Sequence, residues 1–411
     1  RRMTYGRIVD FAKGKVIDEA LSVYMKGPHT YTGEDVVEIN CHGSMVSLKN
    51  TLRLVLSQGA RMAEPGEFTK RAFLNGRMDL SQAEAVIDVI KAKTDKSFDI
   101  AISQLEGSLS KEIDKIRKDI LDILVDITVN IDYPDEDIEY ITYEKLARGI
   151  QNIKYETEKL LSTSNSGRII REGLRVAIVG KPNVGKSSLM NSLLRESRAI
   201  VTDIPGTTRD TIEENLSIRN IPINLIDTAG IRRTDDTVER IGIERSKDAF
   251  NRSDFIIFIV DGSEPLTEED EEIISYIDNR RALVLINKAD KGNVVKSSFF
   301  KERLPNCDVI ITSLIKDDGI NEIENIIESL VYDGKISQED SLIINNVRHE
   351  ELLRLSLEAL QDSYEAVSMN EALDFVEIDI RNAYDYLGEI VGETVNDNIL
   401  NEVFSRFCLG K

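Results

Sequence analysis

The segment Gly180-Lys181-Pro182-Asn183-Val184-Gly185-Lys186-Ser187 follows the apolar run Val176-Ala177-Ile178-Val179 and precedes a helical pattern opening Ser188-Leu189-Met190. Glycines at the first and sixth places let the backbone curl so that consecutive N–H groups and a helix N-terminus face one anion. Lys186 is then placed to neutralise β/γ-phosphate oxygens and the Ser187 hydroxyl to ligate Mg²⁺, with Asn183, Val184, Gly185 and Ser188 completing the cradle. Asp227-Thr228-Ala229-Gly230 ends a second apolar run. There an aspartate can hold the metal through water, and a glycine N–H can meet the γ-phosphate. Asn287-Lys288-Ala289-Asp290 ends a third run. A carboxylate at Asp290 can accept from both N1–H and the amino group of guanine, a donor pair that adenine lacks. Thr312-Ser313-Leu314, after the last run, is expected to close over the base edge. Together these elements predict a guanine nucleotide, GTP or GDP, as ligand.

Between the cradle and the second run lies Thr202-Asp203-Ile204-Pro205-Gly206-Thr207-Thr208, rich in hydroxyls and turn residues. It reads as a switch loop that closes on Mg²⁺ when a γ-phosphate is present, with Thr208 joining Ser187 on the metal. Ile231 follows Gly230, where Ras-like GTPases place the glutamine that orients water. Hydrolysis must use another group. Asp235, Asp236 and Glu239 lie shortly downstream and could orient that water, although an acidic residue on a solvated face is the ordinary alternative.

The elements that must position these residues follow from the apolar pattern. Residues 173–335 alternate short apolar runs with helical stretches, which predicts a mainly parallel sheet and a P-loop GTPase domain. Leu105, Leu109, Ile113, Ile116, Ile120 and Leu124 recur three and four apart, the spacing of bundled amphipathic helices over 76–172. The acidic run at 132–139 reads as a solvated loop and helix start rather than a metal site, since no histidines converge on it. Helical pattern resumes over 336–411, with helices expected at 341–367 and 370–407. The GTPase domain is thus inserted in a discontinuous helical domain, and residues 1–75 form a small α/β unit in front of it. The fold class is α/β plus all-α.

With 411 residues, 41% of them hydrophobic and 30% charged, the chain predicts several globular domains, and no apolar run approaches a bilayer span. Three widely spaced cysteines argue against a disulfide framework and for a reducing compartment, the cytoplasm. A net charge of -21 repels phosphate backbones, so any RNA contact must be local or shared with a partner. Arg1-Arg2-Met3 carries no initiator methionine or signal-peptide pattern, so the chain is expected to begin inside a longer protein.

Tyr31-Thr32-Gly33-Glu34-Asp35-Val36-Val37-Glu38, the stretch from Glu64-Pro65-Gly66-Glu67-Phe68 to Ala85, residues 202–210, Glu239-Arg240-Ile241-Gly242 and the tail Phe404-Ser405-Arg406-Phe407-Cys408-Leu409-Gly410-Lys411 together resemble the MnmE (TrmE) family of tRNA modification GTPases. The resemblance covers nearly the whole chain. It implies an N-terminal domain that forms a homodimer and binds a tetrahydrofolate derivative, 5-formyl or methylene, with Glu38, Arg77 and Lys411 as contacts. It also implies K⁺ in place of an arginine finger, held by the side chains of Asn183 and Thr207 and the backbone of Thr202 and Ile204. Glu239 matches the glutamate that positions the nucleophilic water. The implied activity is GTP hydrolysis coupled to carboxymethylaminomethyl-type addition at C5 of the wobble uridine of tRNA. The implied partner is a flavin protein of the MnmG type, in a heterotetramer or larger complex.

For Arg77 the plain alternative is a solvated cation. For Cys408 it is a buried small hydrophobe, against a functional role beside the folate site that the family's Cys-x-Gly-Lys ending implies. Cys41-His42 looks like a nucleophile pair, but neighbours in an extended segment point to opposite faces, so it reads as structural. The alternative to the whole reading is an RNA or ribosome-assembly switch of the Era type with the same nucleotide motifs. Its Gly-x-x-Gly RNA loop has no counterpart here, as no two glycines stand two residues apart. A folate enzyme with a regulatory nucleotide site is a third reading.

Overall fold

The computed structural model of the chain describes all residues except 1, 133–141, 197, 200–213, 227–250, 278–279, 293, 333–341, 409 and 411. Thr202 to Thr208, Asp227 to Gly230, Asp235, Asp236, Glu239, Lys411 and most of the acidic run at 132–139 lie outside the described residues. Two compact units emerge, one of residues 1–90, 101–157 and 352–411, the other of 91–100 and 158–351.

In the first unit β1 (Met3–Asp10), β2 (Lys15–Met25) and β3 (Val36–Asn40) form an antiparallel sheet in that order. Helices α1 (Met45–Ser57), α2 (Glu67–Leu74), α3 (Leu80–Lys91), α4 (Asp95–Leu105), α5 (Ser108–Asp132) and α6 (Tyr143–Leu161) follow in the chain, with residues 95–100 of α4 and 158–161 of α6 belonging to the second unit. Along α5, Leu109, Ile113, Ile116, Ile120, Leu124 and Ile127 are all buried, the stripe that the three-and-four spacing predicts.

After α6 the second unit supplies α7 (Ser164–Glu172), β4 (Leu174–Val179), α8 (Lys186–Glu196), β5 (Arg198–Ala199), β6 (Glu214–Ile218), β7 (Ile221–Ile226) and β8 (Phe255–Asp261). Then come α9 (Glu268–Ile277), β9 (Ala282–Asn287), α10 (Ser297–Arg303), β10 (Asp308–Ile311) and α11 (Ile320–Tyr332). The sheet order is β10-β9-β8-β4-β7-β6-β5. From β10 to β7 all neighbours pair parallel, while β6 and β5 pair antiparallel at one edge. Alternation divides each central strand between two cores. Val176 and Ile178 of β4 pack with Ile257 and Leu285, and Ala177 and Val179 pack with Phe258 and Val284. A strand buried on both faces must be apolar throughout, which is why these runs show no polar alternation. Because the strands are parallel, β4, β8 and β9 all end at one edge, where an open α/β sheet presents its crevice.

The first unit closes with α12 (Val347–Ser368) from residue 352 onward, α13 (Leu373–Val391) and α14 (Asp397–Ser405). The single helix expected over 370–407 is therefore two. Gly392, left-handed at φ 92°, ends α13, and Asn396 accepts from Ile399 N at 3.1 Å to start α14. A Cβ at Gly392 would meet Leu80 and Phe73 side chains at 2.8 and 2.9 Å, so the break also permits a close approach. Arg117 of α5 is buried, stacks over Tyr384 at 4.3 Å and donates to Glu393 at 2.6 Å, pinning the connecting loop.

Among the described glycines of the second unit the closest approach is at Gly167 of α7, where an added Cβ would stand 1.9 Å from the Ile344 carbonyl oxygen. Backbone cannot yield as a side-chain tip can. Gly167→Ala is expected to destabilise this unit by about 1–3 kcal/mol, seen as a lower urea midpoint at unchanged slope; an unmoved midpoint would show that α7 is free to shift.

Candidate nucleotide site

The loop after β4 has backbone angles that its residue types explain. Gly180 (φ 146°) and Gly185 (φ 119°) occupy positions barred to L side chains. A Cβ would meet the Ile259 carbonyl oxygen at 2.3 Å in the first case and Asn287 Nδ2 at 2.2 Å in the second. Asn183, also left-handed at φ 63°, is exposed, while Val184 is buried and plugs the loop onto the core. Lys186 opens α8, and its ammonium donates to the carbonyl oxygens of Gly180 and, at 2.9 Å, of Lys181. Burial pushes its pKa below the usual lysine range. A phosphate placed before the loop would offer stronger acceptors and favour the charged form. The Ser187 hydroxyl is exposed in the first turn of α8 and Ser188 is half-buried. An exposed hydroxyl oxygen beside a phosphate suits Mg²⁺, a hard cation that takes oxygen ligands and retains waters. Among the described residues no three His, Cys, Asp or Glu side chains form a metal cluster.

Asn287 at the end of β9 is 4% exposed and joins the loops. Its Nδ2 donates to the Val184 carbonyl at 2.7 Å, and its Oδ1 accepts from Leu314 N at 3.1 Å. Lys288, left-handed at φ 66°, donates to Asp261 at 2.5 Å. Burial pushes the Asp261 carboxyl up, but hydrogen bonds from Lys288 and Ser263 outweigh it and hold the group below its ordinary value. Asp261 was not among the expected site residues. Its signal was present in the sequence, an acid ending an apolar run as Asp227 does. Asp290 is exposed, and Ser313 Oγ donates to its Oδ1 at 2.7 Å, which lowers its pKa. Thr312 is wholly buried, taking Ile286 O at 2.9 Å through its N–H and receiving Ala289 N at 3.1 Å. Ser313 and Leu314 are buried as well. The structure thus gathers Asn183 to Ser188 with Asn287, Lys288, Asp290 and Thr312 to Leu314 in one unit.

The remaining candidates belong to the other unit. Glu38 is exposed on β3 opposite Val23. Arg77 is exposed, as its plain alternative has it, and it donates to the Tyr31 carbonyl at 2.7 Å with its guanidinium 4.8 Å from the centre of that ring. Cys408 is exposed, which overturns its reading as a buried hydrophobe. Phe404 and Phe407 occupy the buried positions of this turn, their rings 5.4 Å apart, and Phe404 lies 6.5 Å from Phe73. Next to half-buried Cys41, His42 engages Asp18 through Nδ1 at 2.7 Å and through its backbone N–H at 3.0 Å. Hydrogen bonds from Ser47 and His42 hold Asp18 well below the usual carboxylate range.

Comparison with known proteins adds identity to this geometry. The family model described as MnmE helical domain matches residues 80–408, and that of the GTP-binding protein TrmE N-terminus matches residues 1–77. The tRNA modification GTPase MnmE of Alkaliphilus oremlandii is 54% identical over 411 residues, all of this chain and 89% of the relative. Its counterparts in Alkaliphilus metalliredigens and Clostridioides difficile are 53% and 51% identical over the same shares.

Two outcomes follow from the geometry. Asn287→Ala removes two buried hydrogen bonds, each worth about 0.5–1.5 kcal/mol, and should lower guanine nucleotide affinity roughly tenfold by calorimetry. Unaltered affinity would mean that the loops hold their places without it. With guanine on ionised Asp290, affinity is expected to be full above that pKa and lost as pH falls through it. Ser313→Ala raises the pKa, and the acid-side loss of GDP affinity should begin at higher pH than in the wild type.

Proposed function

Since the chain belongs to the MnmE family of tRNA modification GTPases, we propose that it is the GTP-hydrolysing component that serves carboxymethylaminomethyl-type addition at C5 of the tRNA wobble uridine. The observation that carries the nucleotide half of this reading is the Asn287 bridge, which sets the phosphate loop and the Asp290–Ser313 pair beside one another.

GTP lies with its phosphates on the N–H groups of residues 183–188 and its guanine on Asp290, edged by Thr312, Ser313 and Leu314. Lys186 gives its remaining N–H to the β/γ oxygens while it still donates to the carbonyls of Gly180 and Lys181, and Ser187 and Thr208 ligate Mg²⁺. Residues 202–208 and 227–230 close around the γ-phosphate. Glu239 orients the attacking water. Asn183 and Thr207 through side chains, with Thr202 and Ile204 through backbone, hold K⁺, whose charge stabilises the leaving oxygens as an arginine finger does elsewhere.

The GTPase domains pair across a homodimer during hydrolysis, and the change passes through the helical domain, residues 76–172 and 336–411, to a tetrahydrofolate site with Glu38, Arg77 and Lys411. Exposure of Cys408 supports a role for its thiol in that chemistry. A flavin protein of the MnmG type supplies much of the tRNA surface, which reconciles RNA chemistry with a net charge of -21. The complex works in the cytoplasm. Among the described residues no helix is long and apolar enough to cross a membrane.

Nucleoside mass spectrometry tests the pathway: deletion of the gene should leave C5 of wobble uridines unmodified, and the wild-type gene should restore the group. Normal modification in the deletion strain would refute the assignment. In vitro, GTP turnover should be much faster in K⁺ than in Na⁺, and equal rates would reject the K⁺ site.

A further inference from the structure

The phosphate loop carries a second lysine that the chemistry above does not use. Lys181 Nζ pairs with Asp270 Oδ2 at 2.7 Å and donates to Thr267 Oγ1 at 3.1 Å. Asp270 sits in the first turn of α9 and is 1% exposed. The same Oδ2 accepts from Thr267 N at 2.8 Å and Oγ1 at 3.0 Å, closing the helix N-terminus as a capping box does. Its Oδ1 is buried with no partner.

Capping α9 needs an acceptor at this place but not a charge. A buried carboxylate with one oxygen unsatisfied is destabilising unless a cation neutralises it, and Lys181 is that cation. The pair therefore couples α9 to the second residue of the loop. Lys186 bears on the same short arm, through the carbonyls of Gly180 and Lys181. The Lys186 ammonium has three N–H donors with two of them on these carbonyls, so sharing it with phosphates loosens its hold on this arm. The far arm remains fastened by Asn287 at Val184. The near arm then has the Lys181 side chain.

We propose that Asp270 is a positioning residue of the nucleotide site: through Lys181 it keeps the near arm of the loop in its phosphate-ready shape when Lys186 is shared with the ligand. The proposal rests on residues 180–187 being a triphosphate cradle.

Calorimetry with GDP and steady-state GTP hydrolysis on the full chain test it. Lys181→Met breaks the tether and leaves Asp270 charged, whereas Lys181→Met with Asp270→Asn restores neutrality and keeps an acceptor for the cap. Both should weaken GDP binding about tenfold and raise the KM for GTP by a similar factor, with kcat at saturation within about twofold. Lys181→Arg should bind GDP within about threefold of the wild type, because it retains a cation for Asp270. If Asp270 only caps α9, the double variant will bind GDP like the wild type, and that result overturns the proposal. The wild type and Lys186→Ala serve as controls. Failure of the wild type to bind GDP would refute the cradle reading itself, a different result from a tight-binding double variant.

Discussion

One buried side-chain amide governs the nucleotide half of this molecule. Asn287 is held at the end of an entirely buried strand, where its two polar atoms have no water to fall back on. Nδ2 takes the Val184 carbonyl and Oδ1 takes the Leu314 N–H, so both find partners and two loops acquire a common reference point. The rest of the site is arranged around that point. Gly185 must lack a Cβ because Asn287 Nδ2 stands 2.2 Å from where one would be. Leu314, fixed at its N–H, places Ser313 against Asp290.

Parallel strands make this economical. β4, β8 and β9 deliver Gly180, Asp261 and Asn287 to one edge of the sheet, and each strand end contributes a residue with polar work to do. The apolar faces beneath are shared between two cores, which gives the edge a packed base on either side. Lys186 and Lys181 illustrate two uses of the same residue type within six positions. The first donates to two backbone carbonyls and keeps a third N–H, and the second is committed to a buried carboxylate.

The other unit follows a different logic. Its long helices bury leucine and isoleucine stripes, and an ion pair such as Arg117 with Glu393 fastens a loop between them. Arg117 against Glu393 and Tyr384, and Gly392 against Leu80 and Phe73, hold the connection into α14. Phe404 and Phe407 then anchor the last turn, which leaves Cys408 facing solvent.

Much of this was legible in the residues themselves. The cradle motif, the parallel sheet and the amphipathic stripe of α5 all rest on local rules, since glycine spacing and apolar period act over a few residues. The family resemblance was likewise written in contiguous runs, and the matches to residues 1–77 and 80–408 bear it out. The break of the C-terminal helical stretch had its own signals in Gly392 and Asn396, outweighed by the apolar period on either side. Other features depended on partners distant in sequence. No pattern around Asp270 points to Lys181, 89 positions away, and none around Asp261 points to Lys288. Exposure of Cys408 was equally beyond sequence, because burial of one small side chain depends on which larger neighbours take the available cavity. Motifs are short-range and survive in the linear order; ion pairs and burial are properties of surfaces that only folding brings together.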